Sequence, residues 1–163
     1  MVVCATLFWA GNFNVGKVAF IENISPFSLA FLRWFFVWII LIPFTYKELI
    51  KLKRVILKNF KLLFLLSLSS VFLYSSLTYK ALNYTQVINA SLFNTAVPAS
   101  IILISFLFKI EKTNVFQLSG LLISTLGILT IITKLDLNIL LSLDFNKGDI
   151  FMIIAIISWG IYS

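Results

Sequence analysis

The sequence predicts an all-α integral membrane protein with five complete transmembrane helices and a truncated sixth. Of its 163 residues, 61% are apolar and only 12% are charged, whereas soluble domains are about 45–50% apolar and about 25% charged. The mean hydropathy is +1.05. Apolar stretches recur at the length that a helix needs to cross a bilayer core of about 30 Å. This composition excludes soluble enzymes and nucleic-acid-binding domains, and it makes the lipid bilayer an expected partner.

Five stretches are long and apolar enough to cross the membrane as helices, in which every backbone polar group finds a partner within the segment. They cover residues 2–20, 27–46, 60–79, 87–108 and 115–133. A sixth apolar stretch covers residues 150–163 and reaches about 21 Å at 1.5 Å per residue, which is too short to cross. We expect this sixth segment to bend back to an interface or to pair with another chain.

Cap and turn residues mark the junctions between the stretches. Ser25 and Pro26 suit the start of the second helix, because serine is a favoured cap and proline a favoured first helical residue. Polar breaks at residues 83–85 and 112–114 precede the fourth and fifth helices, as is typical of loops. The connections are short, so neighbouring helices should be antiparallel.

Lysine and arginine are distributed unevenly between the connections. Eight lie in the second and fourth connections and four in the others, with Arg33 inside a helix. Since cytoplasmic loops carry the excess of positive charge, we expect a multi-pass protein of the inner (plasma) membrane with a cytoplasmic N-terminus. The second connection also places Leu49, Leu52, Ile56 and Phe60 at helical spacing between basic residues. That pattern is typical of a helix in an anionic lipid interface, and the alternative is a solvated topology signal.

The residue types of common catalytic and metal sites are scarce. The chain has a single cysteine, Cys4, and no histidine, which excludes a disulfide framework, an ordinary zinc site and a histidine-dependent nucleophile. All six acidic residues fall in predicted loops or at helix ends, namely Glu22, Glu48, Glu111, Asp136, Asp144 and Asp149. We therefore predict no catalytic residue, no metal, no cofactor and no enzymatic activity.

Several short motifs follow one another in a characteristic order. They are Phe8-Trp9-Ala10-Gly11-Asn12-Phe13, Ser25-Pro26-Phe27, Leu32-Arg33-Trp34, Tyr79-Lys80-Ala81-Leu82-Asn83-Tyr84-Thr85, Gly148-Asp149-Ile150 and Ser158-Trp159. In this order and spacing the chain resembles the EamA-type permeases of the drug/metabolite transporter superfamily. Ala10 departs from the glycine that the family often has there.

The resemblance implies a ten-helix secondary transporter made of two inverted five-helix repeats, an architecture common in such transporters. It would move small metabolites such as amino acids or their derivatives, often outward. Residues 1–134 would form the first repeat, residues 135–149 an outer loop and residues 150–163 the truncated start of the second repeat. The expected partners are a small-molecule substrate and a second repeat or another copy, with no nucleic acid. The alternative is a non-transporting membrane subunit or scaffold that uses its helices for assembly.

Two predicted helices carry candidate residues for a substrate path. Trp9, Asn12 and Gly16 are spaced by three and four residues and share a helix face, which suits either a cavity lining or helix packing. Arg33 lies about 10 Å into the second helix. An intramembrane charge is a functional hypothesis, and the alternative is that Arg33 snorkels to the interface or stacks on Trp34.

The fourth predicted helix contains a polar gap. Pro98 has no N–H group, so the carbonyl of Asn94 loses its helical partner, and the Asn94 amide adds polar groups at the same level. Interrupted helices of this kind hold substrates in several transporter folds. The alternative is a simple kink repaired by a nearby hydroxyl such as that of Thr95.

On the third helix, hydroxyl groups recur at helical spacing at Ser67, Ser70, Tyr74 and Thr78. They suit either a pore lining, for which Tyr74 is the candidate, or bonding within their own helix.

Two further patterns predict contacts between helices. Small residues at positions 120, 124 and 127 predict close packing of the fifth helix or a subunit contact. Lys17 lies near the end of the first helix, where we expect it to snorkel or to pair with Glu22.

Overall fold

The structure, a computed structural model, describes residues 2–109, 114–133 and 146–163. Every regular element within these ranges is a helix. Glu111, Lys112, Asp136 and Asp144 lie outside the described residues, as does most of the predicted outer loop at 135–149.

The helices follow one another along the chain with short connections. They are α1 (Val2–Ile21), α2 (Pro26–Lys58), α3 (Phe60–Ser67), a π-helical segment (Leu68–Tyr74), α4 (Ser75–Ala81), α5 (Val87–Asn94), α6 (Val97–Leu107), α7 (Val115–Thr133) and α8 (Lys147–Tyr162).

Three helical stretches are long and apolar enough to cross a membrane. They are Pro26–Lys58, Phe60–Ala81 and Val87–Leu107, and each overlaps one of the predicted spans. The chain is therefore a multi-pass membrane protein. Helices α1 and α7 occupy the predicted spans at 2–20 and 115–133, while the full count of five complete spans stays a prediction.

Helix α2 is longer than the sequence predicts. Its 33 residues extend about 50 Å at 1.5 Å per residue, beyond a bilayer core of about 30 Å. The helix continues through Pro43 and past residue 46 into the stretch predicted as a connection. That stretch is rich in good helix formers, and an ion pair of 2.7 Å joins Lys51 to Glu48 on its exposed surface. Five of the six basic residues of this connection therefore lie on a continuation of the spanning helix, and the sixth, Lys61, lies in the first turn of α3.

The third span changes its helical register midway. Between Leu68 and Tyr74 the backbone is π-helical, which inserts extra residues into a turn. Ser67 is consequently exposed while Ser70 is buried, and both donate hydrogen bonds to carbonyls of their own helix. Ser67 and Ser70 therefore agree with the alternative of bonding within their own helix, whereas Tyr74 stays the candidate for a pore lining.

The fourth span is interrupted where the sequence predicts its polar gap. Helix α5 ends at Asn94 and α6 begins at Val97, with Pro98 in its first turn. The Thr95 hydroxyl donates to the Leu92 carbonyl at 2.6 Å, so it does not repair the gap. Pro98, four residues after Asn94, has no N–H group to donate to the Asn94 carbonyl.

Helix α8 lies inside the bundle, which corrects the expectation that it bends back or pairs with another chain. It begins at Lys147, three residues before the predicted start, because Asn146 and Asp149 form a capping box with hydrogen bonds of 3.0 and 3.1 Å. Met152 and Ala155 are fully buried. The helix packs against α4, α5, α6 and the π-helical segment.

Connections that the sequence places on one side of the membrane meet at one end of the bundle. The Lys17 ammonium donates to the carbonyls of Leu82 and Thr85 at 2.8 and 3.1 Å. The expected pairing of Lys17 with Glu22 is therefore wrong, because the carbonyls after α4 hold the ammonium. A methyl group on Gly148 would lie 2.8 Å from the Ala81 carbonyl, so the start of α8 lies at the same end.

Helix α7 lies at the edge of the described bundle, in contact with α5 and α6. A methyl group added at Gly120 or Gly127 would meet nothing within 4 Å. These glycines therefore do not pack closely against the described helices, and the predicted subunit contact is not tested by this single chain.

Candidate functional site

A small polar cavity lies between α1, α2, α4 and α8, and we call it the chamber. Its volume is about 70 Å³, enough for a few water molecules or a small polar group. The chamber is lined by Trp9, Asn12, Phe13, Arg33, Trp34, Tyr74, Ser75, Thr78, Tyr79 and Trp159.

A chain of hydrogen bonds crosses the chamber from α2 to α1. The Arg33 guanidinium donates to the Tyr79 hydroxyl at 3.1 Å, and this hydroxyl donates to the Asn12 side-chain oxygen at 2.6 Å. Tyr79 is only 2% exposed. Tyr79 thus joins the two helices that carry the candidate residues Asn12 and Arg33.

Aromatic rings surround the polar groups of the chamber. The Arg33 guanidinium lies 5.4 Å from the centre of the Trp34 ring, within the range of a cation–π contact. The Trp34 indole donates to the Ser75 hydroxyl at 3.2 Å. On the opposite side, Tyr74 and Trp159 pack with ring centres 4.6 Å apart. The guanidinium therefore lies in a half-buried, largely aromatic environment.

The interrupted fourth span lies beside the chamber. The Tyr74 hydroxyl donates to the Asn94 side-chain oxygen at 2.7 Å, which connects the chamber wall to the break before α6. Asn94 is partly buried but does not line the chamber, and Pro98 is exposed. Pro98 therefore acts on the site only through the break that it imposes on the helix.

Thr78, which lines the chamber, carries a buried hydroxyl. Thr78 is 3% exposed, and its hydroxyl has no hydrogen-bond partner among the described residues. Most buried polar groups are bonded, so an exception calls for a physical explanation. Ser76 and Thr85 have similar unpartnered hydroxyls, but neither lines the chamber.

A larger groove between α1 and α2 adjoins the chamber. Its volume is about 760 Å³, and it shares Trp9, Asn12, Arg33 and Tyr79 with the chamber. Apolar side chains such as Phe8 and Leu29 line the rest of the groove. The polar groups of the chamber therefore lie at the edge of a mostly apolar surface.

The structure brings together four of the six candidate residues. Trp9, Asn12, Arg33 and Tyr74 line the chamber, Asn94 contacts it through Tyr74, and Pro98 lies outside it. Gly16 serves helix packing, because a methyl group there would lie 2.6 Å from the Leu82 side chain.

Sequence reasoning missed Tyr79 and Trp159 as lining residues, along with Ser75. Tyr79 and Trp159 belong to the motifs that carry the family resemblance, and their place in these motifs was the signal that could have identified them. Nothing in the sequence around Ser75 marks it as a lining residue.

Comparisons with known proteins agree on one family. The model of the EamA-like transporter family matches residues 1–133. An uncharacterized transporter of Archaeoglobus fulgidus is 30% identical over 100% of this chain and 55% of its own length. The uncharacterized transporter YyaM of Bacillus subtilis is 25% identical over 99% of this chain and 53% of its own length.

A WAT1-related protein of Arabidopsis thaliana is 31% identical over 71% of this chain and 32% of its own length. The chain thus spans about half the length of the first and third of these relatives, and about a third of the plant protein. No solved structure gives a significant match.

Proposed function

Because this chain belongs to the EamA-like transporter family, we propose that it acts as a secondary transporter, with the chamber as part of its substrate path. The observation that carries this proposal is the Arg33–Tyr79–Asn12 hydrogen-bond chain within an otherwise apolar helical bundle. Polar and charged groups inside a membrane are costly, and they typically mark substrate pathways.

The substrate class and the direction of transport rest on the family resemblance, and the membrane orientation rests on the distribution of positive charge. The resemblance to EamA-type permeases supports outward transport of small metabolites such as amino acids or their derivatives, without enzymatic chemistry. The excess of Lys and Arg in the second and fourth connections supports a cytoplasmic N-terminus in the inner (plasma) membrane.

A second repeat, or another copy, would supply the wall that faces the groove between α1 and α2. Trp9 and Phe8 of this groove are 50% and 82% exposed, so its surface is available to a facing element. Residues 1–134 would then be the first repeat, and α8 would open the second. Alternating access requires two such units that move against each other around a shared site.

Export is tested by comparing metabolites in the medium of cells that express the protein with those of cells that lack it. We expect a subset of small metabolites to accumulate outside only with the wild-type protein, and Asn12→Leu to abolish most of this accumulation. Asn14→Leu is the matched control, because Asn14 is exposed and bonds only to the Ala10 carbonyl of its own helix. Identical medium in expressing and non-expressing cells would favour the scaffold alternative.

A further inference from the structure

The charge of Arg33 is not balanced within the described part of the chain. The single ion pair found there joins Lys51 to Glu48, on the exposed part of α2. The Arg33 guanidinium carries five N–H donors, and its one hydrogen bond in the described ranges goes to Tyr79. A half-buried cation that retains unused donors favours a bound anion.

Thr78 provides a second and independent indication of a ligand. Thr78 lines the same chamber and is 3% exposed, and its buried hydroxyl has no hydrogen-bond partner among the described residues. A threonine hydroxyl donates one hydrogen bond, and a buried donor without a partner is unfavourable. An acceptor atom in the chamber would satisfy both Thr78 and Arg33.

The shapes of the chamber and the groove limit which anion fits. A chamber of about 70 Å³ accommodates a carboxylate but not a whole metabolite, and a planar carboxylate matches the guanidinium fork. The remainder of the molecule would lie in the adjoining groove, against apolar side chains such as Phe8 and Trp9.

We infer that the chamber binds the carboxylate of an organic acid with an apolar body, through the Arg33 guanidinium and the Thr78 hydroxyl. This inference rests on the proposed function in taking the chamber as the substrate site.

Binding is tested on the purified full chain with a pair of molecules of equal shape, 3-phenylpropionate and its neutral amide. Tryptophan fluorescence and the thermal unfolding midpoint both report on the chamber, whose lining includes three tryptophans. We expect the acid to bind at least about tenfold more tightly than the amide, as a charge-assisted pair requires. Equal binding of the two, or binding of neither at millimolar concentration, would overturn the inference. Binding of inorganic phosphate in place of the acid would also overturn it.

Variants at Arg33 separate a ligand contact from a structural role. Arg33→Gln retains a hydrogen-bond donor for Tyr79 but removes the positive charge. Arg33→Lys retains the charge but removes the planar pair of N–H groups that can bond to both oxygens of a carboxylate. We expect Arg33→Gln to bind acid and amide equally and Arg33→Lys to keep part of the preference for the acid. Lys80→Gln is the matched control, because it removes a partly buried positive charge that contacts Phe27 and Phe151 outside the chamber. An unchanged acid preference in Arg33→Gln would contradict the inference.

Thr78→Val provides a test in which folding and binding respond differently. The substitution removes a buried hydroxyl with no described partner, so the unfolding midpoint should stay the same or rise. Affinity for 3-phenylpropionate should fall about fivefold or more, as for the loss of one hydrogen bond. Thr85→Val removes a comparable buried hydroxyl outside the chamber and should leave affinity unchanged. Equal affinities in the two variants would remove Thr78 from the site.

Measuring metabolite export by cells, alongside binding to the purified protein, distinguishes failure of this inference from failure of the proposed function. If the acid binds in an Arg33-dependent way but cells export nothing, the transporter proposal fails and the inference stands. If cells export metabolites at the same rate with Arg33→Gln, the inference fails and the transporter proposal stands.

Discussion

Tyr79→Phe tests whether one buried hydroxyl joins α1, α2 and α4. The substitution keeps the ring, which packs against Gly16, and removes the group that bonds to Asn12 at 2.6 Å and to Arg33 at 3.1 Å. Hydrogen bonds within membrane proteins are worth about 0.6 kcal/mol on average and reach about 1.7 kcal/mol. Two such bonds give an expected loss of about 1–3 kcal/mol in the free energy of unfolding.

The assay is reversible unfolding of the purified protein from mild detergent into a denaturing detergent. Tyr84→Phe is the matched control, because Tyr84 is 49% exposed and surface changes usually alter stability by less than about 0.5 kcal/mol. A double-mutant cycle of Tyr79→Phe with Asn12→Ala should give a coupling free energy of about 0.5–2 kcal/mol. If Tyr79→Phe unfolds like Tyr84→Phe, or if the coupling is zero, the hydrogen-bond chain does not stabilise the bundle.

Three further predictions concern packing and helix geometry. Gly16→Ala should lower the free energy of unfolding by about 1–3 kcal/mol through overpacking. Gly11 faces open space, so Gly11→Ala should raise the free energy of unfolding by about 0.5–1 kcal/mol. Destabilisation by both substitutions in thermal unfolding would contradict the close contact of Gly16 with α4. Lys17→Met should lower the free energy of unfolding by about 1–2 kcal/mol, because the carbonyls of Leu82 and Thr85 lose a charged donor. An unchanged midpoint of thermal unfolding would argue against the contact of Lys17 with these carbonyls. Pro98→Ala should return a donor to the Asn94 carbonyl and slow amide exchange at residues 94–100; unchanged exchange would show that proline does not cause the break.

Hydropathy and cap residues were sufficient to predict the spans and most helix starts. The apolar stretches at 27–46, 60–79 and 87–108 coincide with helices long enough to cross a membrane, because the bilayer imposes both length and composition. Boundaries were less predictable where polar residues are themselves good helix formers, as in the extension of α2 to Lys58. The π-helical turn at 68–74 packs against α8, which is distant in the sequence, and we find no sequence pattern that marks the turn.

The candidate site was predictable where polar residues interrupt an apolar helix. Asn12 and Arg33 stood out because each is a polar side chain within a span, and both line the chamber. Tyr79 did not stand out, since tyrosine is common at helix ends in membranes, and its role follows from partners distant in the sequence. Trp159 was missed for a different reason. The sixth segment was expected to leave the bundle, whereas it packs at the centre.

The accessibility of a cysteine at position 12 tests most directly whether the chamber is part of a substrate path. The single native cysteine allows a Cys4→Ser background, into which Asn12→Cys, at a partly exposed position that lines both the chamber and the groove, and the fully buried control Ala90→Cys are introduced. In membranes, a hydrophilic thiol reagent should modify the cysteine at position 12 and spare the one at position 90, and 3-phenylpropionate should slow the modification. If both cysteines stay unmodified, water does not reach the chamber, and the account of this bundle as a transporter is contradicted.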